Sequence, residues 1–156
     1  MNEQLGNLII TVISGVVVYI ICQWYTEFVL RPIQEYKQLK SKVAKLLVLH
    51  AQYYSNPWMY DSDGDCTAWK TASAEMRELA ADVAAFTEIK PSQLLVLCAI
   101  PSKRRLIEAQ RYLIGLSNSF FTYPSGEEIC IDRVCDYPDI IRKNMGITYT
   151  RKKVKR

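Results

Sequence analysis

An uninterrupted apolar run near the N-terminus limits what this chain can fold into. It covers residues 5–24 without a charged residue, and residues 1–30 contain no Lys or Arg. About 20 apolar residues in an α-helix cross the roughly 30 Å hydrocarbon core of a bilayer. A core helix of this length with no charged face would be unusual in so small a domain. The sequence therefore predicts a transmembrane helix within 1–30, a helical domain in 31–146 and a basic tail in 147–156.

Charge is distributed unequally on the two sides of the run. The chain has 20 Lys and Arg against 16 Asp and Glu, and every basic residue follows residue 30. Residues 31–45 contain one acid, Glu35, and five bases: Arg31, Lys37, Lys40, Lys42 and Lys45. The positive-inside rule then predicts a single-pass protein of the cell inner membrane, with its N-terminus outside and its C-terminus in the cytoplasm. Residues 1–4 contain no base and no small-x-small cleavage site follows, so we expect the span to be retained rather than cleaved as a signal peptide.

The predicted span has a stripe of small and polar residues. On a wheel of 100° per residue the stripe is roughly 100° wide, and the other side is rich in Ile and Val. The members of this polar stripe are Asn7, Thr11, Ser14, Gly15, Val18 and Cys22. Small residues permit close approach of helices, and Asn, Thr and Ser form hydrogen bonds across such contacts. The stripe predicts a homo-oligomer whose span interface, or pore lining, is made of these residues, although a stripe of six can also arise by chance.

The rest of the chain has helical periodicity. Apolar residues recur at three- and four-residue spacing in 33–54, 68–86 and 106–120, and the third of these inward faces includes Ile107. Ser125 and Glu128 form a capping box before a last helix, for which Gly146 is a suitable C-cap. Apart from 147–150, no segment alternates clearly enough to predict a strand. The predicted fold class is all-α, with one N-terminal transmembrane helix followed by a cytoplasmic bundle of four to five helices.

Pro138 lies inside this last helical pattern. Proline lacks a backbone N–H and disturbs the preceding turn of a helix. We expect it to bend the last helix or to restart it.

Basic residues outside the span predict contact with an anionic surface. A base near an anionic leaflet contributes about 1 kcal/mol of attraction, and nucleic acid is the other natural partner. For the C-terminal tail a solvated, frayed terminus is an equally good interpretation. The predicted basic residues are Arg31, Lys37, Lys40, Lys103, Arg104 and Arg105, together with Arg111 and the tail residues Arg151, Lys152, Lys153, Lys155 and Arg156.

Residues that could support catalysis or metal binding are few. His50 is the single histidine, which excludes a His-rich metal site and favours a buried structural role. The five cysteines include no CxxC, and Cys130 and Cys135 are five apart, a poor match to zinc-binding spacing. We therefore expect no metal, no cofactor and no enzymatic activity. A hydrolase that uses His50 with a Cys or Ser is the less favoured alternative.

The acidic segment 61–65 (DSDGD) has carboxylates at the first, third and fifth positions, as an EF-hand loop does. Cys66 then replaces the glycine of the sharp turn, and Ala72 replaces the closing Glu. A solvated turn is the better interpretation of this segment.

Three runs carry a resemblance to known proteins: 45–57 (KLLVLHAQYYSNP), 74–79 (AEMREL) and 113–120 (LIGLSNSF). They resemble blocks in uncharacterised bacterial membrane proteins, which implies one N-terminal span and a helical cytoplasmic domain. In architecture the chain is also similar to a CRISPR-accessory membrane protein, in which a span precedes a HEPN-like bundle and the subunits form a ring-shaped pore. HEPN-type ribonucleases place an Arg shortly before a His; here residues 43–45 are not Arg, so RNA cleavage by that mechanism is not expected.

Two functions follow as expectations. The first is a non-enzymatic, self-assembling inner-membrane protein that perturbs or permeabilises the bilayer, as an accessory or effector of antiphage defence. The alternative is a membrane-tethered adaptor whose basic helical domain binds a partner protein or a nucleic acid such as RNA in the cytoplasm. Both interpretations include the lipid bilayer as a partner, and the first adds further copies of the chain.

Overall fold

The computed structural model describes residues 2–55, 67–89, 100–120 and 129–148, and every regular element within these ranges is helical. The elements are α1 (Asn2–Tyr25), a π-helical segment (Thr26–Leu30), α2 (Arg31–Leu49), α3 (Ala51–Ser55), α4 (Thr67–Ile89), α5 (Lys103–Ser119) and α6 (Ile129–Asn144). The predicted all-α class is thus confirmed for the described residues. The predicted acidic turn at 61–65, the capping box at Ser125 and the basic tail 151–156 lie outside them. The chain divides into two compact units, Met1–Glu35 and Tyr36–Arg156.

In the first unit, α1 has an exposed surface all around. Residues 7–25 are exposed without exception, and Ile10 and Tyr19 are 66% and 68% exposed. Among the described residues one helical stretch, starting at Gly6, is long and apolar enough to cross a membrane. Its length and composition are those of a transmembrane helix.

The π-helical segment has a local cause in the sequence. Pro32 has no backbone N–H, and its ring would collide with the carbonyl of residue 28 in a regular α-helix. The turn before it is widened, and the N–H of Arg31 donates to the carbonyl of Thr26, five residues back. The Arg31 guanidinium also contacts the carboxylates of Glu27 at 2.8 Å and Glu35 at 3.4 Å. Pro32 is therefore accommodated in the first turn of α2 without interrupting the helical stretch.

The second unit is a bundle around one apolar core. In α2, α4 and α5, burial of one face follows the three- and four-residue spacing, because an α-helix returns to the same side after 3.6 residues. Among the described residues the core contains Tyr36, Leu39, Val43 and Leu47 from α2; Trp69, Ala72, Met76, Leu79, Ala80, Val83 and Phe86 from α4; Leu106, Ala109, Leu113 and Leu116 from α5; and Phe120, Ile141 and Met145.

Two residues predicted on inward faces are exposed. Ile107 is 40% exposed, because it lies about 100° around α5 from the buried Leu106. Ala68 is exposed in the first turn of α4, where the helix has just begun. The prediction of an inward Ile107 was therefore wrong.

The end of α6 is fixed by glycine and by side chains from other helices. Gly146 has φ +61°, and the N–H groups of Gly146 and Ile147 donate to the carbonyls of Lys143 and Arg142. This is a Schellman motif, which confirms Gly146 as the C-cap. The Tyr36 hydroxyl donates to the carbonyl of Met145 at 2.6 Å. A side-chain hydrogen bond from α2 thus satisfies a carbonyl that the end of a helix leaves open.

Pro138 is tolerated in the middle of α6. The helix extends from Ile129 to Asn144 through this residue, so of the two expected effects, a bend or a restart, the restart was wrong. The neighbouring residue Tyr137 packs closely against α5. A Cβ added at Gly115 would lie only 3.0 Å from the Tyr137 ring. Glycine at 115 therefore lets α5 and α6 come close together.

Candidate functional site

The polar stripe on α1 is exposed along its length, and its hydroxyls are already engaged with their own helix. Thr11 Oγ1 donates to the carbonyl of Asn7, and Ser14 Oγ donates to the carbonyl of Thr11, each at 2.9 Å. A Cβ added at Gly15 would have no atom within 4 Å. Because those two hydroxyls donate within the helix, contact with another span would depend on close approach and on the Asn7 amide.

The predicted basic residues lie on several elements, and three of them have identified partners. Lys103 Nζ is 3.1 Å from a carboxylate oxygen of Glu88, and Arg105 donates to the carbonyl of Lys143 at the end of α6. Arg31 lies between Glu27 and Glu35. Lys37, Arg104 and Arg111 are exposed, Lys40 is half-buried, and the five basic residues of the tail lie outside the described residues. Exposed ion pairs of this kind contribute little to stability, so these pairs mainly set local geometry.

His50 is buried between α2 and α3, as predicted, and it has a carboxylate partner. Its ring is 6% exposed, and Nε2 is 2.7 Å from Glu75 Oε2 on α4. Nδ1 is buried and makes no hydrogen bond within the described part of the chain. The ring packs against Tyr53, which in turn contacts the edge of Trp69 at 4.7 Å between centroids. The His50–Glu75 pair therefore holds the junction of α2 and α3 against α4.

A second polar connection joins α4 to α5. Ser73 Oγ and Ser117 Oγ are 2.9 Å apart, and each hydroxyl also reaches the carbonyl of the other residue, at 3.1 and 3.2 Å. Arg77 adds two donors, Nε to Ser117 Oγ and Nη2 to Asn118 Oδ1, both at 3.0 Å. Ser117 is 0% exposed. Small side chains and reciprocal hydrogen bonds therefore allow α4 and α5 to pack closely here.

These two connections lie on opposite flanks of the buried face of α4. At 100° per residue, Glu75 points about 160° away from Arg77, with buried Met76 between them.

Chemically, the described residues provide hydrogen bonding and ion pairing. No group of three or more His, Cys, Asp or Glu in the described ranges is arranged to hold a metal ion. Comparison of the chain with known protein families, with curated proteins and with solved structures finds no match.

Proposed function

We propose that this is a single-pass inner-membrane protein that self-assembles through its span and perturbs the bilayer without catalysing a reaction. The observation that carries the proposal is the surface of α1. It is apolar and exposed over residues 7–25, and it gathers its small and polar side chains on one face. Lipid tails pack well against the Ile and Val side of the helix. The polar stripe packs better against another helix, because lipid tails cannot form hydrogen bonds with its polar side chains.

Assembly would place the polar stripes of several spans against one another. Small side chains at Ser14, Gly15 and Cys22 would let the backbones approach, and the Asn7 amide would supply hydrogen bonds across the contact. A ring of such helices would turn its least apolar face inward. That arrangement lowers the barrier to water and ions and would permeabilise the membrane.

The orientation in the proposal follows from charge. The segment after the span contains Arg31, Lys37 and Lys40, whereas the segment before it contains no base. Bases within about 15–20 residues of a span favour the cytoplasmic side. The helical domain would then be cytoplasmic and the N-terminus external.

Cross-linking through the native Cys22 tests the proposed span interface. In full-length protein whose other four cysteines are Ser, oxidation in native membranes is expected to give disulfide-linked dimers, because Cys22 lies on the stripe. Asn7→Leu should reduce the cross-linked fraction about five- to thirty-fold at matched expression, if the amide contributes roughly 1–2 kcal/mol. Thr11→Val should change it less than two-fold, since that hydroxyl already donates to the carbonyl of Asn7.

The matched control moves the cysteine to the opposite side of α1. Cys22→Ser combined with Ile20→Cys keeps one thiol at nearly the same depth, but about 160° around the helix. Its cross-linked fraction should be several-fold lower. Equal cross-linking from the two positions, or no effect of Asn7→Leu, would contradict an interface through the polar stripe.

A further inference from the structure

The outer face of α4 presents small and acidic side chains. Ala74, Glu78, Ala81 and Ala85 are all exposed, and 100° per residue places them on the side opposite buried Met76. We call these four residues the alanine face. Three of its members end at Cβ, so another helix can approach its backbone closely.

The outer face of α5 presents large apolar and basic side chains. Arg104, Ile107, Arg111 and Ile114 are exposed, and both isoleucines are 40% exposed. We call these four residues the isoleucine face. Ile107 is the residue whose burial the periodicity predicted; its exposure places an apolar side chain between two guanidinium groups at the surface.

Contacts within the chain fix the relative level of the two faces. Ser73 lies opposite Ser117, and Glu88 lies opposite Lys103, so α4 and α5 are antiparallel. The fifteen residue steps from Ser73 to Glu88 on α4 therefore span about the same length as the fourteen steps from Ser117 back to Lys103 on α5. Ala85 is then level with the region of Ile107, and Glu78 is level with the region between Arg111 and Ile114.

We propose that the alanine face of one copy packs against the isoleucine face of a second copy, and the reverse, about a two-fold axis that runs along α4 and α5. A two-fold axis parallel to the helices leaves each residue at the same height along the axis. The dimer then contains two identical contacts, each between α4 of one copy and α5 of the other. Ile107 then lies over the small side chain at 85, and Arg111 reaches Glu78. This inference deepens the proposed self-assembly and rests on it.

The surface suits a second copy because it is self-complementary. A two-fold interface uses the same patch on both subunits, so the patch must contain both halves of each contact. Here one helix supplies the acid and the small side chains, and its neighbour supplies the bases and the large ones. Opposite charges at matching levels also favour this pairing over alanine face against alanine face, which would place Glu78 near its own copy.

A charge swap in the full-length protein tests the proposal. Association is measured by light scattering in mild detergent over a dilution series, and the midpoint concentration of dissociation is the readout. Glu78→Arg and Arg111→Glu, each alone, are expected to raise that midpoint at least ten-fold, because each places like charges together twice per dimer. The double variant, which restores opposite charges, should return the midpoint to within about three-fold of the wild type. Lys45→Glu, at an exposed position on α2, is the control and should leave the midpoint unchanged.

The outcomes separate this inference from the proposed function. If both single variants leave the midpoint unchanged, the two faces do not pack against each other and the inference is overturned. Self-assembly through the span can still be supported in that case, if Asn7→Leu dissociates the protein. If the singles weaken association but the double variant does not recover, the pairing of Glu78 with Arg111 is overturned. If the wild type is a monomer throughout, the proposed function fails together with the inference.

Discussion

Replacing Ser117 by Leu is expected to lower the free energy of unfolding of the helical domain by about 2–6 kcal/mol. Ser117 is 0% exposed, and its hydroxyl lies 2.9 Å from the Ser73 hydroxyl between α4 and α5. A leucine would have to push the helices apart, and overpacking of this kind typically costs about 1–3 kcal/mol. It would also remove the acceptor of Arg77 Nε. Leaving polar groups without partners adds about 1–3 kcal/mol.

The measurement is urea unfolding of the full-length protein in mild detergent, followed by circular dichroism. Ser117→Ala should cost less, about 1–2 kcal/mol, because it removes the hydroxyl without adding volume. Glu108→Leu provides the matched control on the same helix: this side chain is exposed, so a change within about 0.5 kcal/mol is expected. Equal stability of Ser117→Leu and Glu108→Leu would show that α4 and α5 are not packed through these serines.

Tyr36 is expected to make the helical domain sensitive to alkali. Burial raises the pKa of its hydroxyl from 10.0 to about 12, and the charge of Arg105 opposes part of that rise. The neutral form is thus favoured in the folded state, where the hydroxyl donates to the carbonyl of Met145. The contribution of Tyr36 to the free energy of unfolding is fully present below pH 10 and is lost as the pH rises from 10 through 12. The loss should approach about 2 kcal/mol.

The pH dependence of Tyr36→Phe separates this residue from the other groups that titrate in alkali. The variant loses a hydrogen bond and is expected to be about 1 kcal/mol less stable at neutral pH. Its stability should fall less steeply between pH 10 and 12, so the difference from the wild type shrinks or reverses there. Tyr25→Phe, at an exposed position, should keep the wild-type slope. Parallel curves for the wild type and Tyr36→Phe would contradict a raised pKa at Tyr36.

Much of the fold of the second unit was predictable because α2, α4 and α5 each bury one face. The spacing in 68–86 assigns seven residues to the inward face of α4, and all of them except Ala68 in the first turn are buried: Trp69, Ala72, Met76, Leu79, Val83 and Phe86. Ile107 shows where the pattern loses precision: hydrophobicity marks a residue as suited to burial, but its angle around α5 decides whether core covers it. The Gly146 cap was predictable because glycine after a helical pattern favours the left-handed conformation.

The polar connections inside the domain were not predictable in the same way. Ser73 and Ser117 are 44 residues apart, and Glu75 is 25 residues from His50. Local periodicity contains no information on which flank of one helix faces which flank of another. The prediction of the polar stripe needed no tertiary information, because its members share one helix.

Light scattering of the full-length protein in nanodiscs or mild detergent gives its molar mass and so shows whether the protein self-assembles. Self-assembly predicts one uniform species that contains several copies of the 18.0 kDa chain. Six or more copies would provide enough spans to enclose a path across the membrane, with the polar stripe as its lining. A species with the mass of a single chain at all concentrations would show that the protein does not self-assemble.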